Sequence, residues 1–231
     1  MKKVKVKVVI GSNYGDECKG LATAYFAKEY TPCLNVLFNG GCQRGHTVEM
    51  TNGTRHVFHH LGSGTFYGAY TYFDQDFIVN PIIFNVEYQE IREMGIVPCC
   101  YVSPNCRVST PYDAFINQIV EDSRGDSRHG SCGFGIWETQ KRYENGKYTL
   151  TFKELVNKTD DEIMQYLSDI ATDYFPKRLE EYGIKDIPDI YRILINSKNL
   201  HFHFLCDIRA MQSVVEICEF DKLFPYFNTI V

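Results

Sequence analysis

No stretch of this chain of 231 residues approaches the roughly 18 consecutive apolar residues that a membrane-spanning helix needs. The basic N-terminus, M-K-K-V-K-V-K-V-V-I, alternates lysine with valine. It has no continuous apolar core of the kind a signal peptide carries, and it reads as a strand. Positive charge is not in excess either. With 24 Lys and Arg against 29 Asp and Glu, the formal net charge is −5, which argues against a protein held to nucleic acid by bulk electrostatics. None of the nine cysteines (18, 33, 42, 99, 100, 106, 132, 206 and 218) forms a C-x-x-C pair, so zinc-ribbon and thioredoxin-type readings fall away. Free thiols in a reducing compartment are expected, and hence a cytoplasmic protein with no membrane and no nucleic-acid partner. Internal repeats, low-complexity tracts and clear linkers are also missing. What remains is an ordinary globular composition, 44% hydrophobic, with 16 Tyr and 16 Phe to fill a core.

The most informative stretch is Val8 to Ala22, V-V-I-G-S-N-Y-G-D-E-C-K-G-L-A. A β-branched run leads into a glycine-punctuated loop that ends in Lys19-Gly20 and opens a helix to about Tyr30. Backbone N–H groups, the positive end of the helix dipole and a lysine charge are what cradle a phosphate. The spacing is not G-x-x-x-x-G-K-[ST], since Gly20 stands where the Ser or Thr belongs. It is G-x-x-x-G-D-E-x-K-G. A carboxylate beside phosphate is repelled unless it holds a metal ion or moves a proton, which singles out Asp16. Glu17 more simply suits the first turn of a helix.

Along the chain, Lys3–Ile10 and Leu34–Phe38 read as strands flanking the helix Gly20–Tyr30, a unit typical of an α/β fold with a parallel sheet. Thr51–Thr54 centres a hairpin on Asn-Gly. Phe77–Asn80 is a short strand, and Pro81 opens the helix Ile82–Met94, capped by Gly95. Ile96–Val108 reads as a strand pair turning at S-P-N. A helix runs from Thr110-Pro111 to about Asp122. Residues 123 to 137 form a polar, glycine-rich loop expected to be a mobile substrate loop. Helices are expected over Thr159–Ala171, Asp173–Tyr182, Ile187–Leu194 and Cys206–Ile217, and F-N-T-I-V at 227–231 begins a buried strand.

A second tight loop, N-G-G-C-Q-R-G-H-T-V-E, follows the second strand. His46 sits in it at the same sheet edge as the first loop, outside the strand carboxyl ends where α/β sheets bind ligands. There a histidine donates a proton to, or stabilises, a developing oxyanion. His56, His59 and His60 lack a carboxylate or cysteine at ligand spacing and favour a structural role over zinc. Arg124, Arg128 and His129 read equally as an anion clamp or as a solvated loop.

Four ordered motifs resemble the adenylosuccinate synthetase family. Y-G-D-E-C-K-G (Tyr14–Gly20) is similar to its W-G-D-E-G-K-G, and G-G-C-Q-R-G-H-T (Gly40–Thr47) to its G-G-x-N-A-G-H-T. F-H-H-L-G-S-G (Phe58–Gly64) is similar to F-H-L-L-P-S-G, and G-S-C-G-F-G-I-W (Gly130–Trp137) to G-T-T-G-R-G-I-G. The resemblance covers residues 1 to about 145 well and fits the later helices only loosely. It implies an α/β fold with a mostly parallel sheet, flanking helices and a P-loop-like phosphate loop after the first strand. It also implies a single α/β domain over 1–231, the N-terminal half of a longer synthetase.

The implied reaction joins IMP to aspartate at the expense of GTP, with Mg2+. Asp16 would be the base and a magnesium ligand, Lys19 would hold phosphate, the Gly45 carbonyl would bind magnesium, and His46 would be the acid. Gly15, Asp16, Glu17, Lys19, Gly20, Gln43, Gly45, His46, Thr47, Ser131 and Cys132 would meet nucleotide, Gln43 in place of Asn, and Ser131 and Cys132 in place of Thr residues near a 5′-phosphate. Cys18 for Gly implies a strained positive φ. Divergent phage relatives take dGMP in place of IMP. The family's aspartate-binding arginine loop and guanine-reading N-K-x-D have no counterpart here, so a nucleotide-binding fragment or pseudoenzyme without turnover is the alternative. A completed enzyme would be a homodimer sharing its sites through an arginine, for which Arg142 is the candidate.

Overall fold

The computed structural model describes residues 4–13, 15–195 and 197–231. Lys3 of the expected first strand and Tyr14 of the first loop motif therefore lie outside the described residues. In chain order the elements begin with strand β1 (Lys5–Val6), helix α1 (Lys19–Glu29), β2 (Cys33–Leu37), the hairpin β3 (His46–Glu49) and β4 (Arg55–Phe58), and a 3-10 turn over Ser63–Tyr67. Then come β5 (Tyr70–Phe73), β6 (Ile78–Val79), α2 (Pro81–Glu93), β7 (Cys100–Val102), β8 (Arg107–Val108), α3 (Pro111–Ser123) and α4 (Ile136–Glu144). The remainder is α5 (Phe152–Asn157), α6 (Asp160–Asp169), α7 (Phe175–Glu181), α8 (Asp189–Ile195), α9 (Lys198–Gln212), β9 (Val215–Ile217), α10 (Phe220–Leu223) and β10 (Thr229–Ile230).

Six strands form one sheet in the order β1-β10-β2-β5-β7-β9. Every pairing in it is parallel. Strands covered on both faces read as apolar runs rather than alternations, and the C-L-N-V-L of β2 is almost wholly buried. Helix starts follow local chemistry. Asn80 caps α2 by accepting from the Ile83 amide at 3.1 Å, with Pro81 at the first helical position. Capping boxes built on Thr110–Asp113, Thr151–Glu154 and Thr159–Glu162 open α3, α5 and α6. Among the described residues no helix is long and apolar enough to cross a membrane.

Several expected elements are corrected. The first strand is shorter than expected: Lys5–Val6 pairs with Thr229 and Ile230 of β10, and the Lys7 amide donates to the Ile230 carbonyl at 2.8 Å. The segment Ile96–Val108 is not a strand pair: β7 lies between β5 and β9, whereas β8 pairs with β6. The S-P-N turn changes layer rather than reversing the chain. The expected helix Cys206–Ile217 breaks at Gln212, and the β-branched end becomes β9 at the sheet edge. The helices expected over Thr159–Ala171 and Asp173–Tyr182 are joined through a π-helical segment, Ile170–Tyr174.

Arg142 also departs from expectation. Its side chain is 1% exposed and paired at 2.8 Å with Asp113, itself fully buried. The guanidinium further donates to the carbonyls of Tyr148 (2.6 Å) and Val108 (2.8 Å). Arg142 ties α4 to α3 inside this chain and cannot reach across to a partner's site.

Candidate active site

A cavity of about 720 Å³ opens where the chain leaves β1 and β2, at the carboxyl ends of parallel strands. Lys19, Gln43, Arg44 and His46 line it, with Lys7–Gly11 and Phe38–Gly41 as walls. The two loops expected to form one site therefore border the same space.

Their junction is the contact between Gly20 and His46. A Cβ placed on Gly20 would lie 2.5 Å from the His46 Cβ and 3.1 Å from its Cα. Only glycine admits the hairpin strand β3 this close to the first turn of α1. The Ser63 hydroxyl donates to the Gly20 carbonyl at 2.6 Å and fixes that turn from the other side. Burial, helped by the positive charges of Arg44 and Lys19, lowers His46 to about 4. The ring is thus neutral near pH 7, able to donate one N–H and accept through the other nitrogen.

The first loop is built from left-handed backbone. Gly15 has φ 130°, Asp16 φ 52° and Cys18 φ 57°. For Cys18 the expected strain is met, at a cost of about 1–3 kcal/mol. Asp16 is exposed and, like Gly15, Glu17 and Gly20, is not among the residues that line the cavity. Glu17 is not in the first turn of the helix, which begins only at Lys19. Its carboxylate folds back into the loop and accepts from the amides of Ser12 (2.6 Å) and Asn13 (2.5 Å) and from Lys19 Nζ (2.8 Å). These are the donors a phosphate would use. The Lys19 hydrogen bond and the loop amides hold the Glu17 carboxyl below the usual carboxylate range.

Residues 130–133 border a second, shallower depression of about 380 Å³ with Glu121. Cys132 Sγ approaches the Gln43 carbonyl at 4.0 Å, which brings the two loops together. The Ser131 hydroxyl donates to Asn117 at 2.9 Å. The Glu121 carboxylate accepts from the amides of His129, Gly130 and Ser131 at 3.0–3.3 Å. Arg124 pairs with Glu121, and Arg128 with Asp122 at 2.7 Å, which favours a solvated loop over an anion clamp. Thr47 alternates to the exposed side of β3, away from the buried Val48, and does not line the cavity; Gly45 is exposed just before β3.

Of the three neighbouring histidines, His60 is held in the core. His60 Nε2 accepts from the Asn80 amide at 2.9 Å, and burial lowers its pKa to about 3. Among the described residues no group of three or more His, Cys, Asp or Glu side chains is placed to hold a metal. All nine cysteines are free, with Cys33, Cys42, Cys100 and Cys106 buried. Sequence reasoning missed Arg44 and Glu87, which grip the turn beside His46. Arg44 was visible only as a departure from the family's alanine, and Glu87 was hidden within an ordinary helix.

A six-stranded parallel sheet flanked by helices, with a glycine-rich loop at its carboxyl edge, defines an α/β protein. The adenylosuccinate synthetase family model matches residues 8–211. The adenylosuccinate synthetase of Chlorobium phaeobacteroides is 30% identical over 132 residues, covering 56% of this chain and 30% of that protein. That of Thermoplasma acidophilum is 30% identical over 161 residues, 70% of this chain and 35% of the relative. Among solved structures, the fully ligated adenylosuccinate synthetase from Plasmodium falciparum has a TM-score of 0.63 at 18% identity, over 93% of this chain and 50% of that one. The cyanophage S-2L succinoaminodeoxyadenylate synthetase, bound to dGMP and dATP, has a TM-score of 0.52 at 21% identity, over 67% and 43%. The chain belongs to the adenylosuccinate synthetase family. It spans about a third of the length of the curated relatives it matches.

Proposed function

We propose that this chain carries the phosphate- and purine-handling half of an adenylosuccinate-synthetase-type ligase, a single α/β domain serving purine nucleotide biosynthesis. The reaction joins aspartate to IMP with GTP as co-substrate. The observation that carries the reading is the Gly20–His46 contact, which sets a neutral imidazole beside the anion loop and its lysine.

In this reading Asp16 takes the proton from the purine ring nitrogen, and the 6-oxygen attacks the γ-phosphate of GTP. GDP leaves, and the aspartate amine then attacks C6, forming the C–N bond as the C6–O bond breaks and the former 6-oxygen departs within inorganic phosphate. His46 donates its N–H to the 6-oxygen and stabilises the charge developing there. Lys19 holds phosphate once Glu17 is displaced. Asp16, an exposed carboxylate, and the exposed Gly45 carbonyl would hold magnesium, an ion that takes few protein ligands and completes its shell with phosphate and water. When bound, the ion supplies neutralisation of the phosphate charge.

The monophosphate is IMP or dGMP. Gln43, Ser131 and Cys132 depart from the family's Asn and Thr residues, and the phage neighbour is bound to dGMP. A nucleotide-binding role without turnover is the second reading, favoured by the Glu17 carboxylate that occupies the loop amides and Lys19. Calorimetric titration with Mg2+·GTP, IMP and dGMP tests binding, and a coupled assay with aspartate tests turnover. GTP binding is expected, weakened about tenfold or more by Lys19→Ala, the loss of one charge-assisted contact. The chain alone is expected to show no turnover. Absence of GTP binding by the wild type overturns the proposal.

A further inference from the structure

We propose that Arg44 is a positioning residue for His46, closing with Glu87 on the turn His59–Leu61 like two jaws. The inference rests on the reading of His46 given above. The Arg44 guanidinium donates to three successive carbonyls: His59 at 2.6 Å, His60 at 2.8 Å and Leu61 at 3.0 Å. From the opposite side the Glu87 carboxylate accepts the amides of the same three residues, at 3.0, 2.5 and 3.3 Å. The His59 ring returns a contact to the Arg44 carbonyl at 2.5 Å. Arg44 also lies 5.4 Å from the centroid of the Phe77 ring.

This grip falls two residues before His46, in a stretch with glycine at 40, 41 and 45 that has little rigidity of its own. Downstream, His46 is fixed by pairing with Phe58 in the hairpin. Upstream, the guanidinium is the side-chain anchor nearest to it. A planar fork with five donors can satisfy three carbonyls at once, which an ammonium cannot. The two jaws are charged oppositely and largely shielded from water. Glu87 is 2% exposed, and although burial opposes its ionisation, the nearby His56 ring, His60 with its backbone amide, and Arg44 hold its carboxyl below the usual range. Arg44 occupies the position of alanine in the motif that Gly40–Thr47 resembles.

The test is hydrogen exchange and proton NMR on the ligand-free chain, comparing wild type with Arg44→Ala and Arg44→Lys. Arg44→Ala is expected to speed exchange at the His46 amide, which lies in the hairpin ladder opposite Phe58, by about tenfold or more. It should also abolish the nuclear Overhauser contact between His46 and the Gly20 α-protons. Amides of Leu34–Leu37 and Tyr70–Phe73 should keep their wild-type rates. Arg44→Lys should fall between the two, and it carries the test if the alanine variant does not fold. An unchanged His46–Gly20 contact, or acceleration spread evenly over the sheet, overturns the proposal. Neither readout needs a nucleotide. A chain that binds no GTP but loses the contact on Arg44→Ala keeps the positioning role and loses only the functional reading.

Discussion

Glu17 shows how one side chain alters what a phosphate loop does. Its carboxylate already holds the amides of Ser12 and Asn13 and the Lys19 ammonium. A phosphate taking those donors must displace it, so apparent affinity is reduced by the fraction of time the loop is closed. Glu17→Gln keeps the shape and removes the charge. Mg2+·GTP affinity measured by calorimetry is expected to rise about three- to tenfold. A fall would show that Glu17 holds the loop open for its ligand instead. Nothing in the sequence distinguished these arrangements, because an acid just before a helix equally suits the dipole, a cap or a loop contact. Cys18 is different. Its left-handed backbone was legible from the cysteine standing where the family loop has glycine, whereas the left-handed backbone of Asp16 was not.

At the scale of elements, glycine placement is the sharpest constraint. Gly135 sits at φ 71°, and a Cβ there would lie 2.3 Å from the carbonyl carbon of Asp113. It lets the 124–135 loop press onto the first turn of α3, where Asp113 meets Arg142. Gly135→Ala is expected to destabilise by about 2–4 kcal/mol in urea unfolding, from the left-handed backbone and the overpacking together. A change within about 0.5 kcal/mol, the ordinary range for a surface substitution, would overturn that role. Elements bounded by local signals were legible: Pro81 and Pro111 open helices, and Asn52-Gly53 turns the hairpin. Elements defined by a distant partner were not. The sequence marks β7 and β8 as extended, yet which sheet each joins depends on Thr71 and Ile78, far along the chain. The role of Arg142 was misjudged for the same reason, since its partner Asp113 is set by tertiary packing.

At the scale of the whole molecule, buried neutral histidines tie stability to pH. His46 is lowered to about 4 and His60 to about 3, both from a reference of 6.5 and both chiefly by burial. Between those values the unfolded chain binds protons that the folded chain does not, so stability is complete above about pH 6.5 and declines as pH falls toward 4. The urea midpoint is expected to drop steadily from pH 7 to pH 4; a flat profile would mean that neither ring is held neutral.

The sheet order carries a further consequence for biosynthesis. Among the described residues β1 has one strand neighbour, β10, and Lys5 pairs with Thr229. Contacts this far apart in sequence form late, since the loop they close is long and costly in entropy. A nascent chain emerging from the ribosome therefore presents the upstream stem of its anion loop unpaired until Thr229 and Ile230 have been made. A strand made early is among the last to find its place.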